Sequence, residues 1–281
     1  MNIRHSTGLM LGTIAMVLAT LVQASEPLRI ALIPAEDSRA MIRQSRQLMT
    51  ALEQKLGVEV EGFVATDYNG VIESLRAGHV DVAYLGPFSY VKAAQVANVE
   101  AFAVAETKDK GGVAYHSQIV VRADSDIQSV EQLRGRDFAF VGPTSTSGYV
   151  FPMVGLKKAG LNPRNDFRNV IYTGAHDANL LAVKHGRVDA ATVADRILSA
   201  AVEKGQIDKA DLRVIWRSGA IPESPMVWRK DLPETTKQQL RDAFLSIRDV
   251  QFGDQGQVSE YRATDDSAYD IVREAARLAR K

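Results

Sequence analysis

Short apolar runs alternate with stretches of helical spacing along most of the chain. Residues 28–33 (Leu-Arg-Ile-Ala-Leu-Ile) predict a first strand, ended by Pro34. Ile42, Leu48, Met49, Leu52 and Leu56 fall on one face of a helix over 40–56, which stops at Gly57. A strand over 58–65, a helix over 71–76 ended by Gly78, a strand over 80–85, a helix from Gly86-Pro87-Phe88-Ser89 through Ala97 and a strand over 100–105 follow. The second half repeats the rhythm with strands over 118–122, 138–141, 170–173, 188–193 and 212–216. Its helices fall over 129–133, 150–159, from Gly174-Ala175-His176-Asp177 to His185, and over 194–203. Met226-Val227-Trp228 and two helices, 233–247 and 267–279, complete the chain. Strand and helix alternate without a hairpin signature, which predicts parallel sheets covered on both faces.

Residues 74–83 (Ser-Leu-Arg-Ala-Gly-His-Val-Asp-Val-Ala) echo residues 182–191 (Ala-Val-Lys-His-Gly-Arg-Val-Asp-Ala-Ala). Each is a helix end, a glycine cap and a strand opening on Val-Asp. Short helix-to-strand junctions resemble one another in any protein; two similar α/β lobes explain the echo equally well.

At 281 residues the chain has room for two domains. Its first 24 residues stand apart. Arg4 is followed by an apolar stretch over 9–22, short for a membrane span, and Val22-Gln23-Ala24 has the small–x–small pattern of a signal-peptidase site. We expect cleavage after Ala24 and export. With no Cys there is no disulfide and no thiol to carry a lipid, which fits a freely diffusing protein of a bacterial periplasm. Without Arg4 the 34 basic residues become 33, against 34 acidic ones. That balance, with no basic cluster, argues against nucleic acid or an anionic membrane as partner, so any preference for anions must be local.

The candidate for such a site is Gly142-Pro143-Thr144-Ser145-Thr146-Ser147-Gly148-Tyr149, between a buried strand and a helix. Hydroxyls, free backbone N–H groups and a positive helix end meet there, as a tetrahedral oxyanion requires. A capping Ser or Thr with polar neighbours is the plainer reading. A phosphate-binding P-loop is excluded because Tyr149 follows the second glycine where Lys is needed. A nucleophile elbow is excluded because Pro143 and Ser147 stand where glycines belong around Ser145. Three further loops at strand C-termini, Thr66 to Tyr68, Gly86 to Phe88 and Gly174 to Asp177, lie at the edge where open α/β sheets bind ligands. His176 would begin a helix there, either as a surface cap or as a donor whose charged form a bound dianion favours. Tyr68 and Tyr115 are either core aromatics or pocket walls. The five histidines show no metal-ligand spacing, so no metal or cofactor is expected.

Thr66-Asp67-Tyr68, Asp81 to Pro87, Ser145 to Tyr149, Gly174 to Asp177 and Pro225 to Lys230 together resemble the periplasmic phosphonate- and phosphite-binding proteins of ABC importers, the PhnD-like family. The resemblance runs from the first strand to about Asp270. It implies a class II periplasmic-binding-protein fold of two α/β lobes with a two-strand hinge. One lobe would hold 25–117 with 220–281, the other 118–219, with crossings near 116–118 and 218–220. It implies that Ser145, Thr146 and Ser147 hold the phosphonyl oxygens, that His176 and Tyr115 add donors, and that Tyr68 closes the pocket. The partners implied are a permease in the inner membrane and a small phosphorus oxyanion, carried by a monomer that is not an enzyme.

One departure concerns the ligand's other end. Relatives that take an aminoalkyl phosphonate hold its ammonium with two acidic residues, and the matching positions are Arg196 and Ser224. Asp195 and Glu223 precede them by one residue, so either pair could line the rear wall. Read without a slip, the pocket lacks a cation site and suits phosphite or methylphosphonate; with a slip it suits 2-aminoethylphosphonate. Rejection of phosphate would require apolar surface at the fourth substituent, for which the ring faces of Tyr68 and Tyr115 are the candidates. Another small anion, a periplasmic enzyme and a sensor module are the remaining readings; missing nucleophile–base spacing weighs against the enzyme.

Overall fold

A computed structural model describes residues 26–107 and 114–280; the expected signal segment 1–24 lies outside the described residues. Two mixed sheets form the framework. The larger runs Arg248–Phe252, Gly256–Ala263, Val99–Thr107, Pro225–Arg229, Val82–Tyr84, Leu28–Leu32, Val60–Val64. The smaller runs Leu212–Arg217, Ser117–Arg122, Ala190–Ala194, Asp137–Phe140, Asn169–Tyr172.

The expectation of purely parallel sheets needs correction. Leu28–Leu32 is parallel to both its neighbours, but Pro225–Arg229 inserts antiparallel between Val82–Tyr84 and Val99–Thr107. This strand returns from the other sheet and enters from the opposite end. Its residues Pro225 to Trp228 are all buried, as a central strand covered on both faces requires. In the smaller sheet Ser117–Arg122 plays the same part, antiparallel to Ala190–Ala194 and Leu212–Arg217.

The sequence echo is therefore topological. Val82–Tyr84 and Ala190–Ala194 each lie between one parallel neighbour and one inserted antiparallel strand. The aspartate before each strand also has one task. An Asp81 carboxylate oxygen accepts the N–H of Arg29 at 3.1 Å, and an Asp189 oxygen accepts that of Asp137 at 2.8 Å. Each ties down an edge N–H of the neighbouring parallel strand.

Two chain crossings join the sheets. Ala114–Tyr115 pairs antiparallel with Ile221–Pro222, and next to it Ser117 N–H donates to Ser218 Oγ while Ser218 N–H donates to the Ser117 carbonyl, both at 2.9 Å. The final helix, Asp270–Arg280, also bridges: Lys157 Nζ, from the helix Phe151–Lys158, donates to the Ala279 carbonyl at 2.7 Å. The edges of the two sheets that carry the expected binding loops face one another and are in contact. Asp37 N–H donates to Asp177, and His176 N–H to the Ala35 carbonyl, each at 2.9 Å.

Candidate functional site

The Ser-Thr-Ser turn sits in the middle of this closed edge. Its helix begins earlier than the residue pattern predicts. Thr146–Val150 forms a π-turn that runs into Phe151–Lys158, with Ser145 as N-cap. Ser145 Oγ accepts the Gly148 N–H at 3.1 Å, and the Ser145 carbonyl accepts the Val150 N–H at 3.2 Å. The wide first turn depends on Gly148, where a Cβ would collide with the Val141 side chain and lie 2.6 Å from Ser145 Oγ. Single π-turns recur at functional sites because they re-aim a few backbone groups.

All three hydroxyl residues are buried, and in two of them a neighbouring N–H takes one lone pair of the hydroxyl. A hydroxyl has one proton to give and two lone pairs to receive. Thr146 Oγ1 accepts the N–H of Phe88 from the facing lobe at 2.8 Å, leaving its own proton for another acceptor. Ser145 Oγ, accepting from Gly148, is left in the same state. Ser117 Oγ donates to the Ser147 carbonyl at 2.6 Å, and Thr192 Oγ1 to that of Gly148 at 2.9 Å, so the turn is held from behind. Opposite, the helix Pro87–Val96 presents its N-terminus, with Ser89 Oγ donating to the Thr144 carbonyl at 2.9 Å. The helix His176–Lys184 adds a third N-terminus. Three positive helix ends each favour an anion by about 0.3–1 kcal/mol, more where water is excluded.

Tyr68, first residue of the helix Tyr68–Arg76, is buried and lies against Ser145 across the cleft. Burial and Asp254 push its pKa well above the ordinary phenol value, so it stays a neutral donor. Tyr115 is buried beside Ser147 and Thr146, and burial pushes its pKa up to about 12. His176 is buried, not a surface cap. Ala194 N–H donates to its Nδ1 at 3.2 Å, which leaves Nε2–H as the donor of a neutral ring. Burial first, then the Arg196 guanidinium, lower its pKa to about 3. With these neighbours His176 is a neutral imidazole.

The rear wall is where sequence left two pairs open. Asp195 turns to the hinge: its carboxylate accepts the His116 backbone N–H at 3.0 Å, lies 3.0 Å from that residue's ring Nδ1, and lies 3.4 Å from Arg217 Nη2. Burial works to raise its pKa, yet the His116 bonds hold it below the usual carboxylate range. Arg196 turns inward instead. Its side chain is 4% exposed, its Cζ lies 4.2 Å over the Tyr115 ring, and its Nε and Nη2 reach Asp254 Oδ2 at 3.1 and 2.7 Å. Glu223 stands 3.8 Å from Nη1. Ser224 is buried beside Tyr84. The structure thus brings Arg196, Glu223 and Ser224 together and turns the Asp195 carboxylate to His116 instead. The guanidinium covers one face of the Tyr115 ring.

Sequence reasoning missed Asp254, Gln255 and Glu36. Asp254 meets Arg196 across 58 residues from an irregular turn after an edge strand, and no local pattern marks it. Glu36 lies in the loop after the first strand, buried, 4.0 Å from Lys204 of the other lobe. Burial and Asp254 raise its pKa to about 7.

Comparison with known proteins agrees with this geometry. Residues 30–269 match the family model described as "ABC transporter, phosphonate, periplasmic substrate-binding protein". The "Phosphonates-binding periplasmic protein" of Escherichia coli K12 is 34% identical over 232 residues, covering 80% of this chain and 67% of that one. The "Phosphate-import protein PhnD" of Mycolicibacterium smegmatis is 32% identical over 259 residues, covering 88% and 81%. A crystal structure of a binding-protein component of a Pseudomonas aeruginosa ABC phosphonate transporter superposes with a TM-score of 0.82 at 29% identity, over 90% of this chain and 87% of that one. The two-lobed fold, the buried hydroxyl turn and these likenesses have one source: the chain belongs to the phosphonate-binding family of periplasmic substrate-binding proteins of ABC transporters.

Proposed function

We propose that the chain captures a small phosphorus oxyanion (phosphite, methylphosphonate or another phosphonate) between its lobes and hands it to an inner-membrane permease. Ser145, Thr146 and Ser147 grip the anion, Tyr115 and the His176 Nε2–H add donors, and Tyr68 closes over it. The lobes comprise 25–117 with 220–281, and 118–219, and the protein works as a monomer free in the periplasm, without a lipid and without turning its ligand over. One observation carries this reading: the Phe88 N–H takes one lone pair of Thr146 Oγ1, which leaves the hydroxyl proton to donate in a buried turn between positive helix ends. Hydrogen bonds to a charged group are worth roughly 1.5–3 kcal/mol each, so a handful supports micromolar affinity, about −8 kcal/mol, after the cost of association.

Phosphate is the second reading. Arg196 over the Tyr115 ring supplies polar surface where a P–OH would sit, and the mycobacterial relative is named for phosphate import. Calorimetric titration with phosphite, methylphosphonate, phosphate and sulfate tests both readings. Binding of phosphite or methylphosphonate, lost when Ser145, Thr146 and Ser147 are all replaced by alanine, is the expected result. Tight binding of phosphate alone selects the second reading; no binding of any phosphorus compound removes both. Uptake by membrane vesicles carrying the permease separates transport from sensing.

A further inference from the structure

The rear wall contains an ion cluster that looks complete except on one side. Arg196 and Glu223 are each 4% exposed at the side chain and Asp254 is fully buried. Two carboxylates converging in a dry wall would form a site for a cation, since each unpaired charge there is costly. The chain supplies that cation itself. Both nitrogens of one edge of the guanidinium bind the same Asp254 oxygen, Oδ2, and the Tyr115 ring covers its face. The other edge is open: among the described residues Nη1 is buried without a hydrogen bond, because Glu223 at 3.8 Å supplies charge but is too far to accept. Asp254 Oδ1 and Gln255 Oε1 are likewise buried without partners among the described residues.

Tyr115 links this cluster to the anion turn. Its hydroxyl end lies beside Ser147 and Thr146, and its ring face carries Arg196. The guanidinium thus stands about one ring's width behind the place where the oxyanion is held. A ligand ammonium aimed at the rear would meet a fixed positive group whose carboxylate partners are already engaged. An uncharged or acceptor-bearing substituent would meet the free Nη1 donor.

We infer that Arg196 is a built-in counter-cation that sets ligand class: it fills the cation position between Glu223 and Asp254, turns away ammonium-bearing phosphonates and leaves Nη1 to a neutral or acceptor-bearing end. The inference rests on the oxyanion reading above and assigns the residue that decides among such ligands.

Calorimetry with methylphosphonate and 2-aminoethylphosphonate tests it, with thermal melts to confirm folding. Wild type prefers methylphosphonate by about tenfold or more, and Arg196→Ala reverses the order because the two acids then receive the ammonium. Adding Asp254→Asn to Arg196→Ala removes the gained affinity. Arg196→Lys, which keeps a cation in place, retains the wild-type order. A wild type that ranks the aminoethyl compound equal or higher overturns the inference, even if Arg196→Ala fails to fold. A folded Arg196→Ala protein with unchanged ranking overturns it as well. A wild type blind to both compounds, and to phosphite and phosphate, removes the oxyanion reading and this inference with it; binding of methylphosphonate with the wrong ranking removes the Arg196 assignment alone.

Discussion

The Thr146 hydroxyl of one lobe accepts the backbone N–H of Phe88 of the other at 2.8 Å, so the residue that should hold the ligand also holds the lobes together. Ligand capture and closure are then one event. Thr146→Ser should bind nearly as wild type. Thr146→Ala should lose about 1–3 kcal/mol, roughly five- to 150-fold in affinity, because a buried N–H and an anion oxygen both lose a partner. Small-angle scattering should show compaction of wild type on adding ligand and a weaker response in Thr146→Ala. Identical radii for free and bound wild type would contradict closure.

Gly148 should tolerate no side chain. Its Cβ would meet the Val141 side chain and Ser145 Oγ, and neither is the far end of a flexible chain. Gly148→Ala should destabilise the fold by about 1–3 kcal/mol, the usual cost of overpacking, and lower anion affinity by displacing the N-cap. Chemical denaturation and calorimetry on the same variant measure both. A variant with wild-type stability would show that the π-turn relaxes without penalty.

Glu36 and His176 should tilt the pH dependence of stability in opposite directions. Burial raises the Glu36 pKa to about 7, so its folded form keeps a proton that the unfolded chain has lost. Its contribution is full below its ordinary value of 4.5 and fades as pH rises to 7. Burial lowers the His176 pKa to about 3 from 6.5, so its contribution is full above 6.5 and fades as pH falls toward 3. Between roughly pH 4.5 and 6.5 the slopes, each at most about 1.4 kcal/mol per pH unit, largely cancel. Glu36→Gln should unmask stability that rises with pH across this window. His176→Gln should unmask stability that falls. Parallel melting curves for wild type and both variants would refute the two assignments together.

Asp195 should matter to the hinge and little to the anion. Its carboxylate serves His116 and Arg217 at the chain crossing. Asp195→Asn should change methylphosphonate affinity by less than about tenfold, against near-complete loss in the triple alanine variant of the turn. A loss as deep as that of the triple variant would place Asp195 in the pocket after all.

Local patterns were enough for most strands and helices, the hydroxyl turn and the likeness of the two lobes, because each depends on side-chain period or on a cap within a few residues; they missed the antiparallel hairpin of Arg248–Phe252 with Gly256–Ala263, whose polar residues mark no strand. The Val-Asp echo is an example: both aspartates bind the backbone of an adjacent parallel strand, and the local environment demands the same residue twice. Three matters were decided only when the chain closed on itself. The antiparallel place of Pro225–Arg229 depends on which way the returning chain enters the sheet, which its own residues do not record. The neutral state of His176 depends on the Ala194 N–H and on Arg196, neither adjacent in sequence. Which of the neighbours Asp195 and Arg196 turns inward at the helix start depends on Asp254 and Glu223, which arrive from the far end of the chain. Burying a charge demands a partner, and partners that distant are found in space, not along the sequence.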